Sequence, residues 1–290
     1  MIDWTTLVSA EDLHAALDRD DLVVLDARVS LADRAAGEAL FRSGHVPGAR
    51  HADLDRDLSD HTKPNAGRHP WPDAASFCAA LQRWGVAPDT QVVAYDAGDG
   101  ALAAARAWFL LRVLGHRRVA VLDGGFARWT ALGLPVSTEI AAPQPTRYDA
   151  SFDESRLLDA AGVETHLAHA GTLLDARAGE RFRGEVEPLD RVAGHVPGAI
   201  NRPYAQNLRD GRFKPAAELA TEFDRALDGA APGDVAVMCG SGVTACHHLL
   251  AMEHAGRPGA RLFTGSWSGW IDDPGRPVAT GAADGRRPQR

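Results

Sequence analysis

Short runs of apolar residues punctuate this chain and alternate with longer stretches of helical character. In the first half, Leu22-Val-Val-Leu25, Gln91-Val-Val-Ala-Tyr95 and Val119-Ala-Val-Leu122 read as buried strands. Residues 74–84 and 101–114 read as helices, the first preceded by Pro70 and Pro72, the second closed by Gly115. In the second half, residues 234–238 read as a strand and 245–252 as a helix. Alternation of this kind predicts α/β architecture, a parallel sheet covered by helices on both faces.

The pattern occurs twice. Leu25-Asp-Ala-Arg28 returns as Leu174-Asp-Ala-Arg177, and Gly44-His-Val-Pro-Gly-Ala49 as Gly194-His-Val-Pro-Gly-Ala199. Residues 7–13 are echoed by 157–163, and 121–129 by 262–270. The offset, about 150 residues at first and about 140 at the end, is too long for a solenoid and marks tandem domains. We expect domains over 1–136 and 155–280, a linker over 137–154 containing Pro143 and Pro145, and a disordered tail over 281–290. A length of 290 residues suits two domains.

One position breaks the repeat in an informative way. The strand before residue 239 leads into Cys239-Gly-Ser-Gly-Val-Thr244 and then a helix. A thiol where a strand turns through glycines into a helix N-terminus is placed to ionise and to be cradled by amides. In the first half the equivalent residue is Asp96. An active half and an inactive half explain the difference. Cys246 and Cys78 read as packing residues, as do Trp108, Trp129, Trp267 and Trp270.

Charge and composition narrow the function. A net charge of −8 disfavours nucleic acid and anionic membranes as partners. No apolar run approaches a membrane span and no signal-peptide pattern is visible. Three cysteines give neither a disulfide framework nor a CxxC zinc pattern. A reducing cytoplasm suits a chain that must keep a reactive thiol free.

These residues resemble the tandem-domain rhodanese family over nearly the whole chain, and the loop Cys-Gly-Ser-Gly-Val-Thr resembles its 3-mercaptopyruvate sulfurtransferase branch. Thiosulfate-preferring members usually carry basic residues where Gly240 and Ser241 stand. The resemblance implies a persulfide relay. The Cys239 thiolate takes sulfur from 3-mercaptopyruvate, pyruvate leaves, and a thiol, thioredoxin or cyanide removes the outer sulfur. The loop residues Gly240, Gly242, Val243 and Thr244 would hold the persulfide. No metal or organic cofactor is required. Ser241 matches a family serine that relays a proton with a histidine, and His45 matches that histidine, with Asp33 or Glu38 as acidic partner. His45 would place the site between the domains. The other reading is that it only braces its turn, since His195 repeats it. Arg181 matches a substrate-binding arginine. A second arginine is expected after a Glu-Pro pair, which points to Arg191 after Glu187-Pro188.

The alternative donor is thiosulfate. A cysteine phosphatase would need Cys-x5-Arg, but Ala245 stands at the sixth position after Cys239. A binding module without chemistry fits the first half alone.

Overall fold

The computed structural model describes residues 3–30, 33 and 35–282. The first half contains β1 (Leu7–Val8), α1 (Ala10–Ala15), β2 (Leu22–Asp26), α2 (Ala36–Ser43), β3 (Arg50–His51), α3 (Ala74–Arg83), β4 (Gln91–Tyr95), α4 (Ala103–Val113), β5 (Val119–Leu122) and α5 (Gly125–Ala131). The second contains β6 (Leu157–Leu158), α6 (Ala160–Ala168), β7 (Thr172–Asp175), α7 (Gly179–Phe182), β8 (Ile200–Asn201), the short strands β9 (Leu208–Arg209) and β10 (Arg212–Phe213), α8 (Ala216–Leu227), β11 (Val235–Met238), α9 (Ala245–His254), β12 (Arg261–Phe263) and α10 (Ser266–Trp270).

Two five-stranded sheets result, ordered β1-β5-β4-β2-β3 and β6-β12-β11-β7-β8. All their pairings are parallel. Every residue of β2, β4, β5, β7 and β11 is buried. Burial of successive residues means that both faces of each sheet are covered, which is why these strands are apolar throughout. Helix starts follow local chemistry: the Asp73 carboxylate caps α3 by accepting from the Ser76 N–H at 2.7 Å.

The repeated motifs are structural locks. At the end of β2, Arg28 forks onto Asp26 and donates to the Gly44 carbonyl. At the end of β7, Arg177 forks onto Asp175 and donates to the Gly194 carbonyl. Each guanidinium lies over an aromatic ring, Phe126 at 4.1 Å and Trp267 at 4.8 Å. All four charged residues are buried, so each ion pair is compensated by fork geometry and by further hydrogen bonds. The turn histidines complete the lock. His45 stacks on Phe41 and His195 on Phe182, each with Nδ1 against that phenylalanine's carbonyl oxygen at 2.8 Å.

The chain forms two compact units. The first comprises residues up to Asp60, Pro72–Asp153 and Asp210–Phe213; the second comprises His61–Trp71, Glu154–Arg209 and residues from Lys214 on. This differs from the division at 136 and 155 in three places, one of them the grouping of Asp210–Phe213 with the first unit. The segment over 137–153 has no helix and no extended strand, yet it packs with the first unit through buried Tyr148 and Phe152. His61–Trp71 belongs to the second unit although it precedes α3 in the chain. Of the expected tail, residues 283–290 lie outside the described residues.

Candidate functional site

Cys239 follows β11 directly, and the loop it opens runs into α9. It is 3% exposed, with Gly240, Ser241, Gly242 and Val243 also buried. Gly242 has φ +76°, so the turn into α9 needs a residue without Cβ. The start of α10 holds the loop's backbone. Trp267 N–H donates to the Cys239 carbonyl at 3.0 Å and Ser268 N–H to the Gly240 carbonyl at 2.9 Å. Ser266, itself left-handed at φ +50°, accepts the Cys239 N–H on its Oγ at 3.1 Å.

The first unit repeats this clamp at Asp96: Phe126 N–H donates to the Asp96 carbonyl and Ala127 N–H to that of Ala97, both at 2.9 Å. What differs is the content of the loop. The Asp96 carboxylate accepts from the N–H groups of Gly98, Gly100 and Leu102. Burial pushes its pKa up to about 6 against the pull of those amides. In the second unit Gly242 makes the left-handed turn that Gly100 makes in the first, and Thr244 precedes its helix as Leu102 does; among the described residues no acceptor takes the N–H of Ser241, Gly242 or Thr244. The first cradle is filled by a carboxylate of the chain itself, and the second is open beside a thiol.

The segment His61–Trp71 reaches the loop from the other side. Gly67 seats it on α10: a Cβ there would lie 2.6 Å from the Gly265 carbonyl oxygen and 2.8 Å from Ser268 Oγ. The next residue, Arg68, donates its N–H to Ser268 Oγ at 3.0 Å. His69 then meets Ser241, Nδ1 to Oγ at 2.8 Å. Sequence reasoning named His45 for this partnership. In the structure His45 is fully buried in the first unit, with Nδ1 at the Phe41 carbonyl and Nε2 at the Glu139 carbonyl, 3.0 Å away. Both ring nitrogens are therefore occupied by backbone. Of its two expected acidic partners, Glu38 pairs with Arg42 instead, and Asp33 accepts the Ala35 N–H.

The two arginines also separate. Arg181, on α7, is 18% exposed and bridges Glu187 at 2.7 Å and Asp190 at 3.3 Å. Burial works to raise the Glu187 pKa, but Arg181 and the Leu189 and Asp190 amides outweigh it and hold the carboxyl below its usual range. A Cβ built on Gly240 would lie 3.6 Å from either terminal nitrogen of Arg181, so this guanidinium stands at the loop. Arg191 points elsewhere, to the Ile271 carbonyl and Asp272, with 57% of its side chain exposed. Thr244 caps α9 without a side-chain bond. Cys246 and Cys78 are buried, their thiols facing the Gly242 and Ala150 carbonyls.

A glycine-rich loop between strand and helix, with a thiol at its head, on a sheet ordered 1-5-4-2-3 and built twice, defines a class of domain. The rhodanese-like domain model matches residues 9–132 and 159–273, and the chain belongs to that family. It is 49% identical over 279 residues to a probable 3-mercaptopyruvate sulfurtransferase of Pseudomonas aeruginosa, covering 95% of this chain and 98% of that one. It is 42% identical over 282 residues to the putative thiosulfate sulfurtransferase SseB of Mycobacterium tuberculosis, covering 96% and 98%. The crystal structure of SseA from Escherichia coli, a 3-mercaptopyruvate sulfurtransferase, superposes with a TM-score of 0.78 at 32% identity, over 91% of this chain and all of that one.

Proposed function

We propose that this sulfurtransferase moves sulfur from 3-mercaptopyruvate to a thiol acceptor through a persulfide on Cys239. The observation that carries the reading is the contrast between the two cradles: three loop amides hold the Asp96 carboxylate in one unit, and in the other the amides of Ser241, Gly242 and Thr244 have no acceptor among the described residues in the loop that Cys239 opens. Such a cradle suits a thiolate and the anionic persulfide it becomes. The thiolate attacks the donor sulfur. The carbon–sulfur bond breaks, and its electron pair remains on carbon as the enolate of pyruvate. Ser241, hydrogen-bonded to His69, is the group in place to deliver a proton to that carbanion. Arg181 offers a fork to the donor carboxylate. A thiolate acceptor then attacks the outer sulfur and releases Cys239 as thiolate. A dithiol such as thioredoxin would leave as disulfide with loss of hydrogen sulfide, and a reducing cytoplasm suits the resting thiol.

Pyruvate release from 3-mercaptopyruvate, measured beside thiocyanate formation from thiosulfate and cyanide, tests the donor. We expect the first to exceed the second at equal donor concentration. Mass spectrometry after donor treatment should find one added sulfur on Cys239 and none on Cys239→Ser protein. Preference for thiosulfate would overturn the donor, and sulfur on Cys78 or Cys246 the nucleophile.

A further inference from the structure

Arg68 enters none of the steps above, yet it stands at the same loop as Arg181. Its Nη1 is paired with Asp190, and its Nη2 lies 3.0 Å from where a Cβ on Gly240 would be. Both guanidinium groups of Arg68 and Arg181 thus fall within 4 Å of one point beside Cys239. Their carboxylate partners are Asp190 and Glu187. Asp190 bridges the pair, with Oδ1 on Arg68 and Oδ2 on Arg181, and Glu187 takes the remaining edge of Arg181. Asp190 and Glu187 are each only 3% exposed in their side chains, so this anchoring face is dry. Two like charges so close repel unless an anion lies between them. Asp190 supplies one such anion. Arg68 Nη2 and Arg181 Nη1 have no acceptor among the described residues, and both come within 4 Å of the space that Gly240 leaves empty.

We propose that Arg68 is a specificity-determining residue: with Arg181 it forms a two-armed clamp for the donor's carboxylate, Asp190 sets the angle between the arms, and Gly240 keeps the space open. This rests on the reading of the donor as a carboxylate. It assigns to the segment before His69 the second cation that Arg191 was expected to supply. A planar carboxylate can take one N–H from each arm, whereas a lysine at either position keeps the charge and loses the fork.

The full-length protein supplies two tests. In steady-state assays, Arg68→Lys should raise KM for 3-mercaptopyruvate about tenfold, the loss of one charge-assisted hydrogen bond, and change KM for thiosulfate less than about twofold. Equal effects on both donors would overturn the clamp and leave Arg68 as general field or fold support. The second test does not depend on the donor. The rate of Cys239 alkylation by iodoacetate, which carries a carboxylate, is divided by the rate with neutral iodoacetamide. Arg68→Met should lower this ratio about tenfold with the iodoacetamide rate retained. Gly240→Ala, which presses only on the tip of Arg68, should lower it in the same direction. A ratio unchanged in Arg68→Met but lowered in Arg181→Met would refute the assignment. If wild type releases no pyruvate but keeps the alkylation ratio, the donor is wrong and the clamp stands.

Discussion

His45 and His195 occupy equivalent turns, stack on equivalent phenylalanines and bond equivalent carbonyls. Two side chains doing the same work in both units are part of the scaffold that both units need. His69 has no such twin, and it is the histidine on Ser241. The two should separate by experiment. His69→Ala should lower kcat for pyruvate release about a hundredfold, the usual scale for a lost proton-transfer group, while iodoacetamide still alkylates Cys239 at its normal rate. His45→Ala should instead lower stability by about 1–3 kcal/mol, because buried carbonyls lose their partner, with kcat per folded molecule nearly unchanged. Urea melts and stopped assays on both variants decide it, and the reverse pattern would return the proton relay to His45. Sequence pattern could not have separated them, since Gly-His-Val-Pro attracts notice by recurring and recurrence marks structure. The only signal at His69 is an Arg-His pair in a polar, proline-flanked stretch with no periodicity.

Among the elements, those buried on both faces were legible. Residues 91–95 and 119–122 read as strands and are strands, because in a parallel sheet every position is apolar and no alternation confuses the period. Helix ends moved by one or two residues, as with α4 starting at Ala103 rather than 101. The Leu-Asp-Ala-Arg repeats were visible as words, but their purpose was not. Only the fold shows that the arginine turns back onto the aspartate two residues earlier. That buried pair makes a sharp expectation. Arg177→Met leaves Asp175 charged and without its fork, and should cost about 3–5 kcal/mol of unfolding free energy. A second change, Asp175→Asn, should recover part of that loss in denaturant melts. If Arg177→Met alone costs under about 1 kcal/mol, the pair does not hold the end of β7 as described.

At the scale of the molecule, the tandem organisation was readable from four matched segments, but the ownership of His61–Trp71 was not, because its contacts lie far along the chain. This segment gives the second unit Arg68 and His69. A chain beginning at Ser155 lacks both, so its turnover of 3-mercaptopyruvate should fall at least about a hundredfold. Full activity in that fragment would show that neither residue is needed. The filled cradle of the first unit makes a different statement, about pH. The Asp96 pKa rises from 3.8 to about 6 on folding, so the folded state binds the proton more tightly. Its contribution to stability is complete below about pH 4 and is lost as pH rises through 6. Relative to Asp96→Asn, wild-type protein should therefore gain about 3–6 °C in Tm between pH 7 and pH 4.5. Turnover at pH 7.5 should be nearly equal in the two. A Tm difference that does not vary with pH would mean that Asp96 is not the buried acid described.

The ownership of His61–Trp71 also sets an order in time. His69 leaves the ribosome 172 residues before Ser241. At about 5–20 residues per second this is an interval of roughly 10–30 s. Throughout it the growing chain carries Arg68 and His69 but no thiol at the loop, so a product cut short before Cys239 is chemically silent. When Cys239 does emerge, the groups that would bind its substrate and manage its proton have already been made.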